Sequence, residues 1–258
     1  MNVSNSTQSA IIDLGDWLMQ PAGDYICAWE QAQFDLLTAD IFGFHALQIG
    51  LPQLPALAAS RMPHQWQTAS SFPNQNTKAR QAVVLVHDFA ELPFDSQSID
   101  LIVLPHVLEF AKEPHQILRE VDRILIPEGR VIITGMNRVS LWGGRQFFGR
   151  LIKRHFLPEA GEFISPHRLR DWLKLLSMEV GQTRFGCYAL PVNNEQWLQN
   201  SGMMESLGQR WWPRLGAVYM IEAVKRVRGM HLVGPALKQK RVRQTSAVPV
   251  ANKIKEHG

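Results

Sequence analysis

VLVHDFAELPFDSQSIDLIVLPHVLEFAKEPHQILREVDRILIPEGRVIITGMN, residues 84–137, alternates strand and helix signals. QAVVLVHD (81–88) is rich in β-branched residues and predicts a strand. DSQS (95–98) is a turn, and IDLIVLP (99–105) is a second strand. EPHQILREVDRIL (113–125) predicts the best helix in the chain. Pro114 suits its first turn. Ile117, Leu118, Val121, Ile124 and Leu125 fall on one face, with Arg119, Glu120 and Arg123 off it. IPEG (126–129) then turns the chain, and GRVIITGM (129–136) is a third strand.

The alternation extends both ways. Upstream, FHALQI (44–49) reads as a short buried strand, LPALAASRM (54–62) as a short helix and HQWQTASSF (64–72) as a strand. Downstream, Ser165–Pro166 starts a helix, SPHRLRDWLKLLSM (165–178). MEVGQTRFG (178–186) and LGAVYMIEAVKR (215–226) follow as strands. Residues 11–43 carry apolar groups at three- and four-residue intervals and predict helices. Strands alternating with helices imply an α/β fold, a mostly parallel sheet covered on both faces. Such sheets bind ligands beyond the C-terminal ends of their strands. That edge holds Gly50, the segment near Asn74, Asp88, Pro105, His106 and Asn137.

The composition is that of an ordinary globular chain, 45% apolar and 19% charged. The longest apolar runs are strand-length, so no segment reads as a membrane span. The N-terminus lacks the basic start and apolar core of a secretory signal, and a cytoplasmic protein is expected. Cys27 and Cys187 have no metal or redox spacing and read as reduced, buried thiols. From Arg226 onward the only acid is Glu256. Residues 227–258 therefore read as a basic, disordered tail, solvated or loosely attached to nucleic acid or anionic lipid. The expected organisation is a helical extension at 1–43, a main domain at 44–226 and this tail.

Residues 44–136 resemble the class I S-adenosylmethionine-dependent methyltransferases of the type 11 group, which includes ubiquinone- and biotin-pathway enzymes. Asp88, Leu92, Pro93, Phe94, Asp100, Leu108, Leu125, Pro127 and Gly129 hold that group's spaced pattern in order. ADIFGFHALQIG and NRVSLWGGRQFF also resemble a bacterial branch of it. The resemblance implies a Rossmann-like sheet with an antiparallel last strand, and S-adenosylmethionine as cofactor. By it, Asp88 accepts a hydrogen bond from the adenine amino group, a fitting role for an acceptor-only carboxylate. Phe89 lies beside the ring, Gly50 and Leu51 approach the methionine part, and Pro105 and His106 line its end. No catalytic residue is named; His106 is the best-placed titratable group.

The pattern breaks in three places. Where the family reads D-x-G-x-G, this chain has Gln48-Ile49-Gly50-Leu51-Pro52. The acid is gone, and proline removes an amide donor. No Asp or Glu stands between Asp40 and Asp88, so the acid that takes the ribose hydroxyls is missing. Asn74, Gln75 or Asn76 would make weaker contacts there. The interval from Gly50 to Asp88 is also short for two strand–helix–strand units, which need about 50 residues, and PNQNTKARQ (73–81) reads as a helix reduced to a loop. Phe110 stands where many relatives carry histidine.

Residues 138–160 hold Arg138, Arg145, Arg150, Lys153 and Arg154 interleaved with Phe147, Phe148, Leu151, Ile152 and Phe156, with no acid between Glu128 and Glu159. They read as an amphipathic helix on the sheet, or as a lid hinged at Gly143 and Gly144 that meets an acidic or lipid-like substrate. Trp211 and Trp212 read as core. The reading is a methyltransferase acting on a small molecule; the alternative is a catalytically inactive scaffold used for binding or regulation. Asn137 is followed by Arg138, Val139 and Ser140 rather than a target-base motif, which argues against nucleic-acid methylation.

Overall fold

A computed structural model describes residues 14–69, 82–86, 88–151, 161–192, 197–198 and 201–226. The chain divides into two units, Met1–Val227 and Arg228–Gly258. The first holds seven strands: β1 (His45–Gln48), β2 (His64–Ala69), β3 (Ala82–Leu85), β4 (Ile99–Pro105), β5 (Leu125–Met136), β6 (Met178–Gly186) and β7 (Val218–Lys225). Its helices are α1 (Pro21–Thr38), α2 (Val107–Phe110), α3 (Pro114–Ile124), α4 (Leu141–Leu151), α5 (Pro166–Leu175) and α6 (Gly202–Trp211). The expected tail, 227–258, lies outside the described residues.

One sheet runs in the order β3-β2-β1-β4-β5-β7-β6. The first five strands are parallel, and β7 lies antiparallel between β5 and β6. This is the expected fold, mostly parallel with the last strand reversed. Successive side chains point to opposite faces. Leu47, Ile102, Leu104, Val131, Ile133 and Ile221 therefore join one core cluster. Ala46, Leu101, Val103, Ile132 and Met220 join the other.

The first cluster is closed by Ile117, Leu118, Val121 and Ile124 of α3 and by Leu169 and Leu173 of α5. The α5 N-terminus is capped where Ser165 Oγ accepts from the Arg168 N–H. The second cluster is closed by Phe34 of α1 and by Leu54, Ala56, Leu57 and Met62. Those four stand on a run of turns and not on the short helix expected at 54–62. Pro52, Pro55 and Pro63 withhold backbone donors there; isolated backbone turns, such as Leu54 N–H to the Leu51 carbonyl and Ala58 N–H to the Pro55 carbonyl, remain, and the Gln48 side chain adds to the bonding. The loop expected at 73–81 lies outside the described residues.

Two family positions have local physical reasons. Asp100 Oδ2 accepts from the N–H groups of Phe44 and His45, at 3.1 and 2.9 Å, and so fixes the start of β1 against β4. The Leu92-Pro93-Phe94 turn is held by α3: Arg123 donates to the carbonyls of Leu92 and Phe94, and Glu120 accepts from the Leu92 N–H.

α1 gives Ala22 and Ile26 to one cluster and Phe34 to the other, so it bridges the two faces. Phe34→Ala removes a fully buried ring and is expected to cost about 3–5 kcal/mol of unfolding free energy. Urea denaturation followed by far-UV circular dichroism measures it; a loss below about 1 kcal/mol would mean that α1 does not secure the second face.

Candidate functional site

Parallel register brings the C-terminal ends of β1 to β4 to one edge of the sheet. Gln48 pairs with Gln67 of β2 and Val103 of β4, and Ala69 pairs with Leu85 of β3. The residues just past each strand, Gly50, Asp88, Pro105 and His106, share this edge. Asp88 is exposed there; its Oδ1 accepts from the Ala90 N–H at 2.9 Å, and Oδ2 has no donor among the described residues. Phe89 follows it, buried in the first cluster.

The first loop has its own construction. Gly50 has φ 72° and Leu51 φ 39°, so the chain turns left-handed at both; glycine does this freely, leucine at a cost. The Gly50 N–H donates to Thr68 Oγ1 at 2.9 Å. Gln48 is wholly buried. Its Nε2 donates to the Leu51 and Leu54 carbonyls at 3.0 and 2.7 Å, and its Oε1 accepts from the Ala56 N–H at 3.1 Å. Leu51 is packed into the first cluster. Asn74, Gln75 and Asn76 lie outside the described residues.

His106 follows β4 in a left-handed turn with φ 53° and is wholly buried. Its Nδ1 lies 2.9 Å from Glu109 Oε2, and its Nε2 lies 2.9 Å from Glu30 Oε1 of α1. The second approach falls outside hydrogen-bond alignment, so its attraction is mainly Coulombic. Glu109 Oε1 accepts from the Met136 N–H at 2.6 Å, which ties in the end of β5. Burial alone would lower the imidazole pKa, but the Glu30 charge and the Glu109 hydrogen bond outweigh it and hold it up to about 10. Burial pushes the Glu109 carboxyl up as well. The two carboxylates thus favour the imidazolium form of His106, clamped on both sides.

Asn137 is consumed by structure: its Nδ2 donates to the Arg214 and Gly216 carbonyls, and its Oδ1 accepts from the Val139 N–H. Phe110 is buried, and its ring leaves no room for a side chain at Gly161. In α4, Trp142 is buried and donates to the Ala189 carbonyl, and Gly143 lies against the Arg138 carbonyl too closely for any side chain. Residues 152–160 lie outside the described residues. Cys187 is buried and Cys27 partly so. Burial, with Glu30 nearby, pushes the Cys27 thiol up to about 12, and burial raises Cys187 well above its ordinary value. Trp211 and Trp212 are not core as expected; both are exposed.

Two features had no separate signal in the sequence. One is the Glu30–His106–Glu109 cluster, since an acid on an amphipathic helix looks solvated. The other is a cavity of about 680 Å³ between α3 and α5. Lys112, His115, Arg119, Arg168, Trp172 and Leu108 are among its lining residues. The His115 ring lies 4.0 Å from that of Trp172, and the Arg168 guanidinium sits 4.9 Å over the same indole.

Sheet order, strand directions and the edge geometry define a class I methyltransferase fold, and sequence likeness agrees. The profile of a methyltransferase domain matches residues 63–133. The chain belongs to the class I S-adenosylmethionine-dependent methyltransferase family, in its type 11 group. Among particular proteins, it is 34% identical over 189 residues to the uncharacterized protein YafS of Escherichia coli K12, spanning 72% of this chain and 70% of that one. Among solved structures, one chain of a Haloferax volcanii complex with the Trm112 methyltransferase activator superposes with TM-score 0.59 at 17% identity, covering 83% of this chain and 98% of that one. An S-adenosylmethionine-dependent methyltransferase of Thermotoga maritima gives 0.58 at 17% identity, over 78% and 92%. Among the described residues no helix is long and apolar enough to cross a membrane.

The His106 clamp generates a pH prediction. Its stabilisation is fully present below the ordinary histidine value of 6.5 and is lost as pH rises through about 10. The raised Glu109 carboxyl acts in the same direction. Wild-type unfolding free energy should fall across this interval, and the fall should shrink in His106→Gln, measured by urea titrations at a series of pH values. Parallel profiles for the two proteins would exclude the clamp.

Proposed function

We propose that the chain binds S-adenosylmethionine along the β1–β4 edge and methylates a small acidic or amphiphilic acceptor held between α3 and α5. One observation carries the cofactor half: the exposed Asp88 carboxylate just past β3, with one oxygen lacking a donor among the described residues. That oxygen suits the adenine amino group, and the buried Phe89 supplies an apolar neighbour for the ring. Gly50 and Leu51 would meet the methionine part through their backbone, since the Leu51 side chain is turned inward. Pro105 and His106 would shape the end of that pocket. When bound, the sulfonium supplies an electrophilic methyl group whose transfer asks chiefly for alignment and exclusion of water.

Within this reading His106 is a positioning residue. A wholly buried imidazolium has no vacant nitrogen with which to take a proton from an acceptor. The missing ribose acid and the reshaped first loop support weaker cofactor binding than a full set of contacts would give. The acceptor half rests on the α3–α5 cavity, where Lys112, Arg119 and Arg168 outnumber the carboxylates of Glu113 and Glu162 and Trp172 supplies an aromatic wall. A carboxylate or phosphate attached to an apolar body fits that lining.

Calorimetric titration with S-adenosylmethionine and S-adenosylhomocysteine tests the cofactor half. Micromolar binding is expected, weakened at least about tenfold in Asp88→Ala by loss of a charge-assisted hydrogen bond. No binding by folded wild type would leave the inactive-scaffold reading standing instead. Acceptors can be sought by S-adenosylhomocysteine release across a panel of organic acids, where Arg168→Gln should raise KM and leave kcat nearly unchanged.

A further inference from the structure

The outer face of α6 reverses the usual order of a surface helix. Met203, Leu207 and Trp211, spaced i, i+4 and i+8, form one stripe, and that stripe faces solvent: Met203 is 75% exposed, Trp211 67% and the following Trp212 60%. The inward face is fixed. Glu205 accepts from the Tyr25 hydroxyl and from the Tyr188 N–H, and Gly208 lies against the Tyr188 ring. The helix therefore cannot roll to bury its stripe without breaking these contacts. Beside it opens an apolar groove of about 320 Å³ lined by Leu141, Tyr188, Met204, Leu207, Trp212 and Leu215.

Within the α6–Leu215 segment the exposed charge has one sign. Arg210 and Arg214 are exposed and make no ion pair among the described residues. The only acid between Gly202 and Ala217 is Glu205, which is occupied inward. Paired tryptophans, aliphatic side chains and flanking arginines are the combination that an anionic bilayer surface accepts: indoles settle at the headgroup level, and the guanidinium groups meet phosphates. A soluble partner helix would need no such flanking cations. A second copy of the chain would bring the same arginines into mutual repulsion.

We propose that α6 and the Trp211–Leu215 segment form a peripheral membrane-docking face that takes anionic phospholipid surfaces. The proposal stands independently of methyl transfer, since vesicle binding is read without cofactor or acceptor.

The test is sedimentation of the full chain with vesicles of phosphatidylcholine alone and of phosphatidylcholine with about one-third phosphatidylglycerol. Binding to the anionic vesicles is expected, with little to the neutral ones. Trp211→Ala with Trp212→Ala should weaken it at least about tenfold. Both indoles are exposed, so the fold should survive, as circular dichroism will confirm. Unchanged binding in the double variant would assign the affinity to the basic residues 227–258 and overturn the proposal. Absence of binding by wild type would overturn it too. So would a lipid-free dimer in analytical ultracentrifugation that Leu207→Glu disperses, because a second copy would then occupy the face.

Discussion

The C-terminal edge of the sheet is organised around one buried cluster. Glu30 and Glu109 flank His106 at 2.9 Å on either side and favour its protonated form inside the protein. Bringing such a group out of water is expensive, and an isolated one would shed its charge. With both partners in place the cost is offset, and three parts of the chain become mutually dependent. Glu30 brings α1, Glu109 brings α2 and, through the Met136 amide, the end of β5. Removing one partner leaves uncompensated charge, so the cluster behaves as a clamp rather than as a set of separate contacts. The left-handed turn at His106 is held by the same clamp, and with it the corner where β4 meets the ligand edge.

The first loop shows that a departure from a family pattern can have its own coherence. Gln48 stands where an acid is usual. Two of the carbonyls near its side chain, those of Leu51 and Leu54, accept hydrogen bonds from its amide group. A carboxylate only accepts and would be repelled at that point. The amide, with donors and an acceptor, closes the turn that Leu51 and Pro52 impose. Glutamine and the missing second glycine thus belong to one solution, in which a run of backbone turns braced by the Gln48 amide stands in place of a helix and Leu54, Ala56 and Leu57 cover the sheet.

The regular elements were legible because periodicity reports burial. β4 and β6 span the residues expected of them, and the apolar face of α3 is the one read from its spacing. The expected helix at 54–62 failed because composition there favoured a helix, while Pro55, the flanking Pro52 and Pro63, and the Gln48 side chain favour turns. α6 has no counterpart in the sequence reading, and Trp211 and Trp212, expected in the core, are exposed: the apolar stripe of this helix points outward, against the usual link between apolar character and burial. At the C-terminal edge of the sheet, the position of Asp88 past β3 was legible through its spaced companions. Glu30 was not, since its partner lies 76 residues away in sequence and only the fold brings them together.

The two cysteines carry a practical consequence. Cys27 is held up to about 12 and Cys187 well above its ordinary value, so neither offers appreciable thiolate at neutral pH. Alkylating reagents that act on thiolates should pass both by. The natural chain is thus a quiet background for a single engineered cysteine. A fluorophore or spin label placed at an exposed position, such as Leu141 or Leu175, would report from that position alone, without stripping the native thiols first.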